Sequence, residues 1–184
     1  MNKLTLLFGG ILILCVCIVL AGCASKPVDE LKMVRTAMEE ARNTDASEYA
    51  PFDWDRAQMN VQEANALIQM GRYTEAREVL VLAVGNLHTA RDTATRRVES
   101  LKIEIAALQT STGDELKKLE QTAAGAKVSP ALRKRIDGAL PLIQEKIAAM
   151  NAAFEDKEYL RARSAGKEAI SWMQKLQKDA GSKG

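Results

Sequence analysis

Thiols and imidazole are the side chains in this sequence with the most obvious chemical potential, and there are few of them: three cysteines and one histidine in 184 residues. Cys15 and Cys17 lie inside an apolar run at 4–20, behind Leu14 and Val16. Cys23 instead comes after the small pair Ala21-Gly22. A thiol is a nucleophile that can be alkylated to a thioether, and of the three only Cys23 has a small residue immediately before it. His88 offers much less. The positions one helical turn away are Val84, Gly85, Arg91 and Asp92, and only Asp92 could share a ligand. Two protein ligands fall short of a zinc site, and one imidazole would have to serve every possible Ser–His–Asp set. The sequence therefore reads as noncatalytic, with no metal and with His88 facing solvent.

The elements around Cys23 give its chemistry a place. Lys3 precedes the acid-free run, which closes on small residues, the three-part arrangement of an export signal. A run of this length also suits an uncleaved membrane helix with an incidental cysteine. The tetrapeptide Leu20-Ala21-Gly22-Cys23 resembles the lipobox of bacterial lipoproteins. That resemblance implies a signal peptide at 1–22, recognition by the signal peptidase through Leu20, Ala21 and Gly22, and an acyl lipid such as palmitate on Cys23, with no other cofactor. Each buried acyl methylene contributes about 0.8 kcal/mol, so two or three chains hold the protein on a membrane. Ala24-Ser25-Lys26 has no aspartate directly after Cys23, which in Gram-negative lipoproteins permits transfer to the outer membrane. The implied address is the periplasmic face of the outer membrane; the exported side of another bacterial membrane is the alternative. Cys15 and Cys17 would leave with the signal, so the mature domain would hold no disulfide.

Past a lipidated tether at 23–27, the chain predicts an all-α fold. Good helix formers dominate, only 4% of residues are aromatic, and no proline falls in 52–129. Apolar positions recur at helical spacing in five stretches. The first covers 28–42, with Leu31, Val34, Ala37, Met38 and Ala41 on one face, and a polar segment at 43–49 breaks it. Pro51 suits the first turn of the second, with Asp53 as an alternative cap, and Trp54, Ala57, Val61, Ala64 and Ile68 form its stripe until Gly71. The third begins near Thr74 and carries Ala76, Leu80, Ala83, Leu87, Ala90, Ala94, Val98, Leu101, Ile105 and Leu108. Ser111-Thr112-Gly113-Asp114 can break or kink it before Leu116, Leu119 and Ala123 resume the stripe. Unbroken, such a helix would span roughly 75 Å. Ser129-Pro130 starts the fourth, which Pro141 should kink or split near Ala139. The fifth carries Tyr159, Ala162, Gly166, Ala169, Met173 and Leu176. The expected architecture is an elongated antiparallel bundle: a hairpin region at 28–110 and a second at 111–179, joined by a long central helix, with a disordered tail at 180–184.

The two hairpins share a pattern at an offset of 86. The stretch 65–77, from Asn65 through Gly71 and Tyr73 to Arg77, aligns with 151–163, from Asn151 through Lys157 and Tyr159 to Arg163. Extending the offset pairs Trp54 with Leu140 and Ala83 with Ala169. Duplication and chance matching of two alanine-rich hairpins are both open at this point. The stretch 64–83 also resembles the middle of a tetratricopeptide repeat, although the 34-residue period is absent. Ala41, Glu48-Tyr49-Ala50-Pro51, Ala57, Ala64, Gly71, Tyr73, Ala76 and Ala83 resemble a family of helical bacterial lipoproteins known as domain of unknown function 4398, over about residues 28–95. The resemblance implies export, anchoring and an all-helical fold, and supplies no catalytic residues. Pro51, Gly71, Tyr73, Ala76, Ala83, Tyr159 and Ala162 are the structural positions of the hairpins.

Basic and acidic residues, 26 and 24, are intermixed, so no nucleic acid is expected as a partner. The basic groups Arg96-Arg97, Lys117-Lys118 and Arg133-Lys134-Arg135 read as solvated helix faces, with anionic lipid or cell wall as the alternative contact. The expected partners are the membrane, through the lipid, and other envelope proteins docked on a helical scaffold or adaptor. A binding module for cell-wall or lipid material is the second reading.

Overall fold

The computed structural model describes residues 25–125 and 128–181, the last two as backbone only. The segment 1–22, with Leu20, Ala21 and Gly22, and also Cys23 and Ala24, lie outside the described residues. Among the described residues the chain is all-α, with six helices and no strand. In chain order they are α1 (Val28–Arg42), α2 (Ala46–Tyr49), α3 (Pro51–Gln69), α4 (Tyr73–Ala124), α5 (Pro130–Glu155) and α6 (Tyr159–Gly181). Two compact units divide within α4, Met1–Ala94 and Thr95–Gly184.

Four details bear on the sequence expectation. A sixth helix, α2, replaces the end of the polar break at 43–49: Ala46, Tyr49 and Ala50 are buried, at the i, i+3, i+4 spacing that seats one turn against a core. Its start is set by Asp45 in the left-handed region, φ 51°, whose carbonyl accepts from the amides of Glu48 and Tyr49. Second, of the courses left open at 111–114, α4 takes the unbroken one. The hydroxyls of Thr110 and Thr112 donate to the carbonyls of Ala106 and Gln109, one turn back, so they do not compete for other backbone geometry, and Thr112 is fully buried. Third, α5 continues across the exposed Pro141, and Ile136, Ile143 and Met150 on either side stay fully buried. Core packing there outweighs the amide lost at proline. The helix α6 also extends to Gly181, two residues into the expected tail.

The first unit packs α1, α3 and the start of α4 around small side chains. Ala41, Ala57, Ala64, Ala76, Ala83, Ala90 and Ala94 have no accessible surface, and Leu80 and Leu87 fill the space between alanines on the α4 stripe. Alanine removes bulk from an interface and lets helix backbones come close. Glu30 on α1 pairs with Arg77 on α4 at 3.2 Å, and Glu40 with Arg91 at 2.7 Å. Both numbers rise together, so α1 runs parallel to α4, while α3 is antiparallel to it across the turn at Gly71.

The second unit has larger side chains. Leu119, Ile136, Ile143 and Met173 form its core with Ala123 and Ala169, and Leu132, Leu140, Ile147 and Leu176 close around them. Glu104 on α4 meets Arg163 and Lys167 on α6 at 3.0 and 2.7 Å, and Glu115 accepts from Gln177 at 2.8 Å. The helix α6 is thus parallel to this part of α4, and α5 lies antiparallel between its two turns.

Both hairpins use one turn. Gly71 has φ 74°; its amide donates to Ile68 O, and the Arg72 amide to Leu67 O. Lys157 has φ 63°; its amide donates to Phe154 O, and the Glu158 amide to Ala153 O. These paired bonds close a helix end through one left-handed residue. The offset of 86 therefore holds for the backbone as well as for residue types. It extends to the partners of α4 and α6, since Arg77 and Arg91 correspond to Arg163 and Gln177, each bonded to a glutamate on a parallel helix.

Candidate functional site

The residue with the most definite chemistry, Cys23, lies two positions before the first described residue. The chain just past it, from Ser25 to Pro27, is held tightly. The Arg77 guanidinium donates from Nη2 to the carbonyl and the hydroxyl of Ser25, at 2.8 and 3.0 Å, while its Nε faces Glu30 at 3.2 Å. Pro27 is fully buried, and its carbonyl accepts from the Leu31 amide to open α1. Of the stretch read as a lipidated tether, Ser25 and Pro27 are thus seated against the first unit. Neither Arg77 nor Pro27 stood out in the sequence, because the signal is a contact between residues 52 apart.

The hairpin residues are spread over both units. Pro51 occupies the first position of α3, after Ala50, which makes no side-chain cap bond. Gly71 takes the left-handed position, and Tyr73 and Tyr159 open α4 and α6, each half-buried. Ala76, Ala83 and Ala162 are fully buried. Tyr159 meets the Phe154 ring edge-on, 5.8 Å between centroids, with Lys102 Nζ 5.7 Å from its own ring. Tyr159 thus packs on Phe154 across the turn's left-handed Lys157.

His88 is exposed beside α1, at a shallow groove of about 400 Å³ whose other polar lining is Asp29, Lys32, Thr36 and Glu40. Asp92, its one candidate partner, is bonded by Arg91 at 2.9 Å. Asp29 and Glu40 lie eleven residues apart on α1, roughly 16 Å along the axis, too far to share an ion. Among the described residues no group of three or more His, Cys, Asp or Glu is placed to hold a metal.

The ion pairs of the second unit lie both between helices and along α4. Lys167, and then Arg163, hold the Glu104 carboxyl below its ordinary range, and Lys146 does the same to Glu168. Lys118 and Gln177 together lower Glu115. Of the basic group at 133–135, Arg133 donates to the carbonyls of Ala123 and Gly125 and so caps the end of α4, while Arg135 pairs with Asp179 at 2.6 Å. Trp172 is 40% exposed, with Lys146 Nζ 5.9 Å from its ring centre. Among the described residues no helix is long and apolar enough to cross a membrane.

No protein-family model, curated protein or solved structure was found to match the chain.

Proposed function

We propose that this chain is an exported bacterial lipoprotein, cut before Cys23, acylated on the Cys23 sulfur and held on the periplasmic face of the outer membrane as a noncatalytic helical scaffold or adaptor. The observation that carries the reading is Leu20-Ala21-Gly22-Cys23 at the end of an apolar run led by Lys3. The likeness of residues 28–95 to the helical lipoprotein family belongs to the same proposal. In this reading Leu20 fills the peptidase pocket, Ala21 and Gly22 leave the scissile bond accessible, and the thiol becomes a thioether. The adaptor role is supported by large apolar side chains left open along the helices: Phe52 and Met59 on α3, Val81 and Leu82 on α4. Apolar side chains grouped on a helix face can serve a partner helix as anchors, and in this reading these four are the ones offered.

Metabolic labelling with a radioactive or clickable palmitate, in a Gram-negative host, tests the anchor. The wild-type chain takes up label and loses its leader. The Cys23→Ser chain takes up none and keeps the leader. Label on Cys23→Ser would overturn the assignment.

A further inference from the structure

The first unit has one end at which three pieces of chain meet. Because α1 is parallel to α4, as the Glu30–Arg77 and Glu40–Arg91 pairs require, the start of α1 lies beside the start of α4. The end of α3 is brought there by the turn at Gly71. Helical side chains lean toward the N-terminus, so the Arg77 guanidinium that grips Ser25 reaches back toward the first turn of α4. Ser25 is therefore fixed at this end, and buried Pro27 prevents the strand from swinging away. Two large apolar side chains point into solvent here. Val28, the first residue of α1, is 64% exposed, and Met70, at the tip of the α3–α4 turn, is 67% exposed. Exposed Lys26 adds a positive charge beside them.

We propose that this end of the first unit rests on the phospholipid surface, with Met70 and Val28 set into the interfacial layer and Arg77 as the positioning residue that fixes the approach. The inference rests on the acylation of Cys23. From that sulfur-bearing residue to Ser25 is two residues, at most about 7 Å of extended chain, and Ser25 is clamped to the unit. An acyl-bearing residue at the headgroup boundary so close to a fixed point leaves no length for the unit to stand clear of the lipid. The end that carries Ser25 must face it. Apolar side chains at that end enter the boundary region, where interfacial apolar residues are stabilised, and Lys26 lies level with anionic headgroups.

Met59 supplies an internal control. It lies on α3, the helix that Met70 caps, and is 68% exposed, but it stands eleven residues back, roughly 16 Å along the axis. The full-length chain is produced in a Gram-negative host with either Met70→Cys or Met59→Cys. It is purified in detergent, coupled to an environment-sensitive dye and reconstituted into vesicles of phosphatidylethanolamine and phosphatidylglycerol that carry a spin-labelled lipid. Intact mass reports acylation of Cys23 in the same sample. The expected result is loss of emission from the dye at position 70 and retained emission at position 59. Adding Arg77→Ala should restore emission at position 70, with helicity checked by circular dichroism.

Equal quenching at 70 and 59, or none at either, in acylated protein would overturn the orientation and leave the anchor standing. Full quenching at 70 despite Arg77→Ala would overturn the role of the clamp. A mass without acyl chains would overturn the anchor, and the orientation with it.

Discussion

A methyl group added at Gly166 should destabilise the second unit, although alanine is the better helix former. A Cβ at this position on α6 would lie 2.6 Å from Sδ of Met150 on α5 and 3.3 Å from Cβ and Cδ1 of Leu108 on α4. Carbon contacts are comfortable at about 3.5–4.0 Å, so the sulfur must retreat by about an ångström. Met150 is adaptable in principle, but it is fully buried and has little room to swing. Overpacking of this kind costs about 1–3 kcal/mol. Replacing glycine by alanine inside a helix returns about 1 kcal/mol. The net is a loss of about 1 kcal/mol. Gly113 and Gly138 lie in helices of the same unit with nothing within 4 Å of an added Cβ, so alanine there should stabilise by up to about 1 kcal/mol. Urea unfolding of residues 24–184, monitored by circular dichroism, separates the two classes by about 2 kcal/mol at unchanged slope. In a Met150→Ala background the sulfur is gone, and Gly166→Ala should turn from a loss into a gain. If Gly166→Ala stabilises the unaltered protein as much as Gly138→Ala does, the three helices do not meet at this glycine.

Other substitutions probe the turns, the alanine stripe and the interhelical ion pairs. Lys157→Gly should raise stability and Gly71→Ala should lower it, by about 1–2 kcal/mol each, since both positions are left-handed and only glycine occupies that region without strain; urea midpoints check both. Ala83→Leu, in a position with no accessible surface, should lower the melting midpoint clearly, at a cost of about 1–3 kcal/mol, while Glu78→Gln on the exposed face should leave it in place. An unchanged midpoint for Ala83→Leu would contradict the burial of that face. The carboxyl of Glu104 is lowered in the folded chain, so its contribution is present above the ordinary carboxylate range and is lost as pH falls through its depressed value. Glu104→Gln should therefore flatten the acid side of the stability profile relative to wild type, and a parallel acid profile would show that the Lys167 and Arg163 pairing does not contribute.

The helix phases were legible in the sequence because the apolar stripes are long and regular. On α4, Ala76 through Ala94 at steps of three and four are all buried, as the stripe requires, and Ser129-Pro130 marks the start of α5, where the Ser129 hydroxyl accepts from the Leu132 amide. The left-handed state of Gly71 agrees with a glycine at a helix end. Its twin at Lys157 was visible only as an alignment, because lysine carries no signal for that conformation. The features hidden from the sequence depend on competition between local preference and packing. Ser111 to Asp114 carries residues that favour turns, yet two threonine hydroxyls turn back onto the helix and Thr112 enters the core. Ala46 and Tyr49 were masked by polar neighbours, and the clamp of Arg77 on Ser25 joins residues that no periodicity connects.

The alanine-lined interior of the first unit has a consequence for how such a protein changes over time. An interface of methyl groups specifies closeness and little else: it rejects larger side chains but does not interlock with particular ones. Exposed positions outnumber it along α1, α3 and α4 and answer only to solubility and to whatever they touch. A lineage built on this interior can therefore replace most of its surface while the backbone keeps its course, and what persists is a rhythm of small residues that many unrelated helical chains also possess. Shape is inherited here with very little text.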